Sequence, residues 1–165
     1  MPNEARLKVR EYFQKSKKLF KRRSYAALID SNLSEEMQGD VRYLISFEVF
    51  DGVWWLKELD RQFLEDLSIR LRRVAFAPKE IISGDQLNIL THGMATRDGA
   101  FKSPGHWWGD VFITSRRLRD TTPATCLLYC EVARLTRHDL LEVRRRVTHT
   151  HAAKMLHIKG VILPL

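Results

Sequence analysis

The densest chemistry in the sequence is cationic. Lys15, Lys17, Lys18, Lys21, Arg22 and Arg23 place six cations within nine residues. Residues 1–31 carry nine basic side chains against Glu4, Glu11 and Asp30, so this arm holds +6 of the net +8. The rest of the chain is nearly balanced. Such asymmetry fits an anionic surface beside the arm, whether lipid head groups, nucleic acid or acidic patches of a neighbouring subunit. Each cation near an anionic leaflet would contribute ~1 kcal/mol, fading over a Debye length of ~8 Å. A solvated helix face, or salt bridges to a neighbouring subunit, accounts for the same run without a lipid.

Other reactive side chains are sparse. Cys126 and Cys130 stand four apart in an apolar run. On one strand they share a face but lie too far apart to bond to each other, and no second cysteine pair completes a zinc site. They are expected to be buried free thiols. His92, His106, His138, His149, His151 and His157 lack clustered carboxylates or cysteines, so no metal centre is expected. There is no G-x-S-x-G elbow, no H-E-x-x-H and no P-loop, and the carboxylates are scattered. The chain reads as a non-enzyme.

At 165 residues, 44% apolar and 29% charged, the chain has room for one domain with a real core plus an appendage. No apolar run approaches the ~18 residues of a membrane span, and no signal-peptide core is present. An intracellular, soluble piece of something larger is expected, since helical spacing starts directly after Met1. Residues 3–32 carry two apolar stripes, Leu7–Phe13 and Leu19–Ile29, with a break near Ser16 that makes an αα-hairpin. Ser34 is an N-cap candidate for a third helix, with Glu35 and Glu36 set against its dipole. Gly52 marks a turn, Trp54-Trp55-Leu56 a joint, and a fourth helix runs from about Asp60 to Arg72 with Phe63, Leu64, Leu67 and Leu71 inward. The period then changes. Val74–Ala77, Ile81–Ile82, Leu87–Leu90, Met94–Ala95, Ala124–Tyr129 and Val132–Leu135 read as strands, punctuated by Pro78, Gly84-Asp85, Gly93 and Asp98-Gly99. Asp139 to Arg146 returns to helix, ending in an exposed Arg144–Arg146 run, and His151 to Ile158 reads as one more. The layout is α+β, with a helical connector over residues 1–58 and a jelly-roll or barrel domain over 59–165.

Particular motifs carry a family resemblance. Phe76-Ala77-Pro78-Lys79-Glu80-Ile81-Ile82 with Gly84-Asp85 resembles the opening strands of the cyclic-nucleotide-binding domain. Trp107-Trp108-Gly109-Asp110-Val111-Phe112-Ile113 resembles its phosphate cassette. Leu128 to Leu135, then His138 to Val143, resembles its last strands and following helix. Ahead of these, residues 1–13 and Leu33-Ser34-Glu35-Glu36-Met37 are similar to the C-linker, the helical connector below the pore of cyclic-nucleotide-gated and related voltage-gated channels. The implied fold is a β-roll with flanking helices behind that connector.

The resemblance also implies a ligand pocket for cyclic AMP or cyclic GMP. Gly109 would allow close backbone approach, Val111, Phe112 and Ile113 would supply helix N-terminal amides, and Arg119 would pair with the phosphate. Asp110 stands where the family usually has Glu, one methylene short of the ribose. Thr121 and Thr122 follow Asp120 where the family reads Thr or Ser followed by Ala, and Arg119 is one residue out of register from Tyr129-Cys130. An acidic side chain ~5 Å from a phosphate costs ~3 kcal/mol at an effective dielectric of ~20. That matches or exceeds the ~1.5–3 kcal/mol of a charge-assisted arginine contact. A ligand-free roll, as in ether-à-go-go-like channels, is therefore the alternative, and Val161-Ile162-Leu163 folding back would serve as an intrinsic ligand.

The function expected is the cytosolic gating and assembly region of a tetrameric cation channel, of the kind that conducts potassium, lying at the cytoplasmic face of a membrane. Its partners would be the pore domain, three further copies of itself and inner-leaflet anionic lipid, with no nucleic acid. A regulatory subunit or a transcription regulator with the same barrel is the distant alternative. Only Thr148–Leu165 follows the last strand-and-helix unit, too short for a helix-turn-helix.

Overall fold

The computed structural model of the chain describes residues 3–57, 59–109 and 120–146. α1 (Asn3–Lys15) and α2 (Lys17–Asn32) meet at Ser16, where the sequence pattern breaks. Phe13 stacks on Phe20 across that joint at 5.5 Å between ring centroids. α3 (Glu35–Asp51) starts at Ser34, whose backbone is extended and whose Oγ accepts from the Met37 N–H at 3.5 Å. Glu35 and Glu36 occupy its first turn, where the exposed N–H groups favour negative charge.

α4 (Arg61–Arg70) is capped more firmly, since Asp60 Oδ1 accepts from the Phe63 N–H at 2.8 Å. It ends sooner than the pattern suggests because Leu71 is extended and Arg72 already belongs to β1 (Arg72–Phe76). The remaining strands among the described residues are β2 (Ile81–Ile82), β3 (Leu87–His92), β4 (Ala95–Arg97), β5 (Ala100–Lys102), β6 (Trp107–Trp108), β7 (Ala124–Cys126) and β8 (Cys130–Leu135). Thr136 opens α5 (Arg137–Arg146): its N–H and hydroxyl both donate to the Asp139 carboxylate, and the Asp139 N–H donates back to Thr136 Oγ1. The helix anticipated over His151 to Ile158 lies outside the described residues.

The strands form two four-stranded antiparallel sheets, ordered β1-β8-β3-β6 and β2-β7-β4-β5. Asp98 and Gly99, with φ of +52° and +75°, make the tight turn that joins β4 to β5. The pleat assigns each side chain to one of two cores. On β3, Leu87 and Ile89 face the helices, whereas Asn88 and Leu90 face the other sheet. A strand covered on both sides buries side chains of both parities, and Leu87, Asn88, Ile89 and Leu90 are all buried, Asn88 being the one polar residue among them.

The first core joins the end of α3, Trp55, Leu56 and Leu59 to α4, α5 and one sheet. The second lies between the sheets and contains Ile82, Leu90, Ala95, Trp108, Ala124, Cys126, Cys130 and Val132. Trp55 and Leu56 are thus ordinary core residues, while Trp54 is half exposed. The molecule is α+β, and among the described residues no helix is long and apolar enough to cross a membrane.

Candidate functional site

The segment between β6 and β7 is anchored at both ends by its own chain. Trp108 pairs in register with Asn88 and is buried, and its indole Nε1 has no hydrogen-bond partner among the described residues. Gly109 follows with φ +79°, and a Cβ there would overlap the Gln86 carbonyl oxygen. Only glycine fits, so the close approach that Gly109 permits is to the Ser83–Gln86 turn. Gly84 in that turn is tight as well: an added Cβ would lie 2.6 Å from the Thr122 carbonyl and 2.7 Å from that of Thr121.

Asp110, Val111, Phe112 and Arg119 lie outside the described residues. Thr121 is exposed and Thr122 half-buried. Between Arg119 and these threonines, Asp120 has definite partners. Its Oδ1 accepts from the Thr122 N–H at 3.0 Å, and its Oδ2 pairs with the Arg97 guanidinium. Arg97 Nε in turn donates to the Thr122 carbonyl at 3.0 Å, which ties the end of the segment to β4. The bonds to Thr122, then Arg97, hold the Asp120 carboxyl below the usual carboxylate range.

A second guanidinium reaches the same end of the sheets. Arg134 on β8 shares a face with Val132 and Cys130, lies 5.6 Å over the Phe76 ring, and donates from Nε to Asn88 Oδ1 at 3.1 Å. Burial lowers its affinity for the proton, against the attraction of Asp85. Asn88 is fully buried and also donates to the carbonyls of Ser83 at 2.9 Å and Gln86 at 2.8 Å. One buried amide therefore sets both the turn that Gly109 touches and the position of Arg134. Sequence reading missed Asn88, Arg97 and Arg134. Each sits in a strand that otherwise reads as apolar or as turn, and a polar residue on the inner face of an apolar strand was the available signal for Asn88 and Arg134.

The cysteines are not on one strand. Cys126 ends β7 and Cys130 starts β8, in different sheets, both buried. The hydrogen bond with Cys130, then burial, pushes the Cys126 thiol up, and the same bond pulls Cys130 down. Cys130 Sγ also donates to the Met94 carbonyl at 3.2 Å.

On the arm, Lys15, Lys17, Lys18 and Lys21 are exposed and make no ion pair with the described residues, although Lys21 Nζ lies 5.7 Å from the Tyr25 ring centroid. Arg22 and Arg23 belong to α2, and their side chains are outside the described set. Among the described residues no cluster of histidine, cysteine and carboxylate side chains has the makings of a metal site. His149, His151, His157 and Val161 to Leu163 fall outside them. No family model matches the chain, and no curated protein matches it.

Proposed function

We propose that the chain is the cytosolic, non-enzymatic gating and assembly region of a tetrameric cation channel, with α1–α3 as a C-linker-like connector and the two sheets as a β-roll of the cyclic-nucleotide-binding type. The observation that carries this reading is the strand order, β1-β8-β3-β6 against β2-β7-β4-β5, with Gly109 at the β6 end of the segment that leads to β7. Eight antiparallel strands wound in this order are what a jelly-roll needs. Helices precede the roll and α5 follows it, as the resemblance requires. In this mechanism the helices on either side of the roll pass its state to the pore, and a ligand acts only through its different affinity for two arrangements.

Between a ligand-gated and a ligand-free form, the interior packing supports the ligand-free one. Trp108 and Phe76 meet the apolar side chains of both sheets in the space between them. Thermal unfolding with cyclic AMP and cyclic GMP in millimolar excess separates the two. A ligand at about a hundredfold over its dissociation constant adds ~2.7 kcal/mol, or several degrees at ~2–4 °C per kcal/mol. No rise is expected. A clear rise that Arg119→Glu removes would make this a nucleotide-gated module.

The cations from Lys15 to Lys21 face solvent, as contact with anionic lipid or with a neighbouring copy requires. Co-sedimentation with liposomes, with and without anionic lipid, distinguishes those two.

A further inference from the structure

A cavity of about 540 Å³ lies between α2, α3 and β1. Its size falls within the ~300–1,000 Å³ of small-molecule sites. The wall is apolar where Leu19 and Ile29 of α2, Ile45 of α3 and Val74 of β1 face it. Leu19 is the only residue of α2 that is buried among those described, so the apolar stripe of this helix approaches the sheet without closing on it.

The polar part of the wall combines the guanidinium groups of Arg42, Arg72 and Arg73 with the hydroxyls of Tyr25, Ser46 and Ser68. Arg42 pairs through Nη2 with Asp30, but its Nε is buried and has no hydrogen-bond partner among the described residues. Arg72, at the start of β1, is exposed and makes no ion pair among them. An unpaired buried N–H is costly, and none of the hydroxyls of Tyr25, Ser46 and Ser68 in the same wall partners it. An anionic oxygen on a hydrocarbon tail supplies both missing halves at once: an acceptor for Arg42 Nε beside Arg72, and apolar surface for the gap under α2.

We infer that this cavity binds a single-chain amphipathic carboxylate, a fatty acid, with its head group on Arg42 and Arg72 and its tail between α2 and β1. Binding there is independent of the channel reading. If that reading holds as well, the ligand would fasten the connector to the roll and favour whichever arrangement keeps the cavity open.

The test uses dodecanoate below its micellar concentration, dodecanol as the uncharged control, and a diazirine-bearing fatty acid as photolabel. Dodecanoate should raise the unfolding temperature, and the photolabel should map to peptides of α2, α3 and β1. Arg42→Met should weaken dodecanoate roughly tenfold or more, the loss of one charge-assisted hydrogen bond, and leave dodecanol unchanged. Ala26→Phe, which fills the cavity from half-buried α2, should abolish binding of both. Equal affinity for dodecanol and dodecanoate would overturn the inference, as would labelling confined to the roll. Loss of labelling at protein concentrations where light scattering reports an oligomer would show a second copy filling the cavity, and would overturn it too.

Discussion

Gly109 and Gly99 share a positive φ but differ in what surrounds them. At Gly99 nothing lies within 4 Å of an added Cβ, so Gly99→Ala meets only the ~1–2 kcal/mol of left-handed strain. At Gly109 the same methyl also overlaps the Gln86 carbonyl, and the Ser83–Gln86 turn that would have to yield is pinned by Asn88. Gly109→Ala should therefore lower the unfolding temperature distinctly more than Gly99→Ala, with the excess measured by parallel thermal melts. Equal losses would mean that the turn moves freely. Asp120 allows a pH test. Its folded-state pKa is depressed by Thr122 and Arg97, so its contribution is present above the unfolded value of ~3.9 and lost as pH falls through the lower, folded one. Melts from neutral pH down past pH ~4 should show Asp120→Asn starting lower and losing less on the acid side than the parent chain. Parallel curves would argue that the carboxylate is not engaged. At this scale the sequence was partly legible. Gly109 was legible only through the resemblance, which marked it for a close backbone approach, and what it approaches is the Gln86 carbonyl. The partners of Asp120 were not legible, because Arg97 lies 23 residues upstream and only the β4–β7 pairing brings it near.

Helices announced themselves where local chemistry fixes their ends. Ser34 and Asp60 are both N-caps with extended backbone; Ser34 was read as a cap, whereas Asp60 was read only as the approximate start of its helix. Their bonds differ, at 3.5 Å for Ser34 and 2.8 Å for Asp60, and the longer one is at the limit of a useful hydrogen bond. Asp60→Ala should cost ~1 kcal/mol, within the ~0.5–2 kcal/mol spread of cap deletions, and Ser34→Ala less. Denaturant melts of the two variants rank them, and a larger loss at Ser34 would reverse the assignment of the firmer cap. Length alone did not decide which strands were legible, since the two-residue β2 at Ile81–Ile82 was read whereas β5 and β6 were not. β5 and β6 have three and two residues, too few to display a period, and their partners β4 and β3 define them more than their own sequence does. The cysteine pair failed for a related reason. Leu127 to Tyr129 looks like apolar strand, yet Leu127 and Leu128 donate their N–H groups to the Met94 carbonyl, and the chain crosses there from one sheet to the other.

At the scale of the molecule, apolar exposure among the described residues is concentrated ahead of the sheets. Leu7, Phe13, Leu28, Met37, Leu44 and Phe47 are all exposed on α1–α3, with Leu44 70% accessible, while the helices packed on the sheet bury Phe63, Leu64 and Leu67. Single exposed leucines need no explanation, but a cluster on consecutive helices is the signature of a surface that something covers. On the proposed reading the cover is the connector of a neighbouring copy. The cationic arm then lies beside that contact, because α1 and α2 carry both the exposed lysines and three of these side chains. Leu44→Glu tests this without touching either core. Light scattering should report a tetramer for the parent chain and a smaller species for the variant. The unfolding transition of the sheets should shift by no more than the ~0.5 kcal/mol usual for surface changes. A parent chain that stays monomeric at concentrations where dimers and tetramers of isolated domains ordinarily form would remove the connector from assembly. An unchanged mass in the variant would move the contact to another face of the helices. A fall in mass together with a collapse of the main transition would show that α3 belongs to the folding unit of the sheets, which the continuity of Val49 and Phe50 with Phe63 and Leu135 in one core makes a measurable alternative.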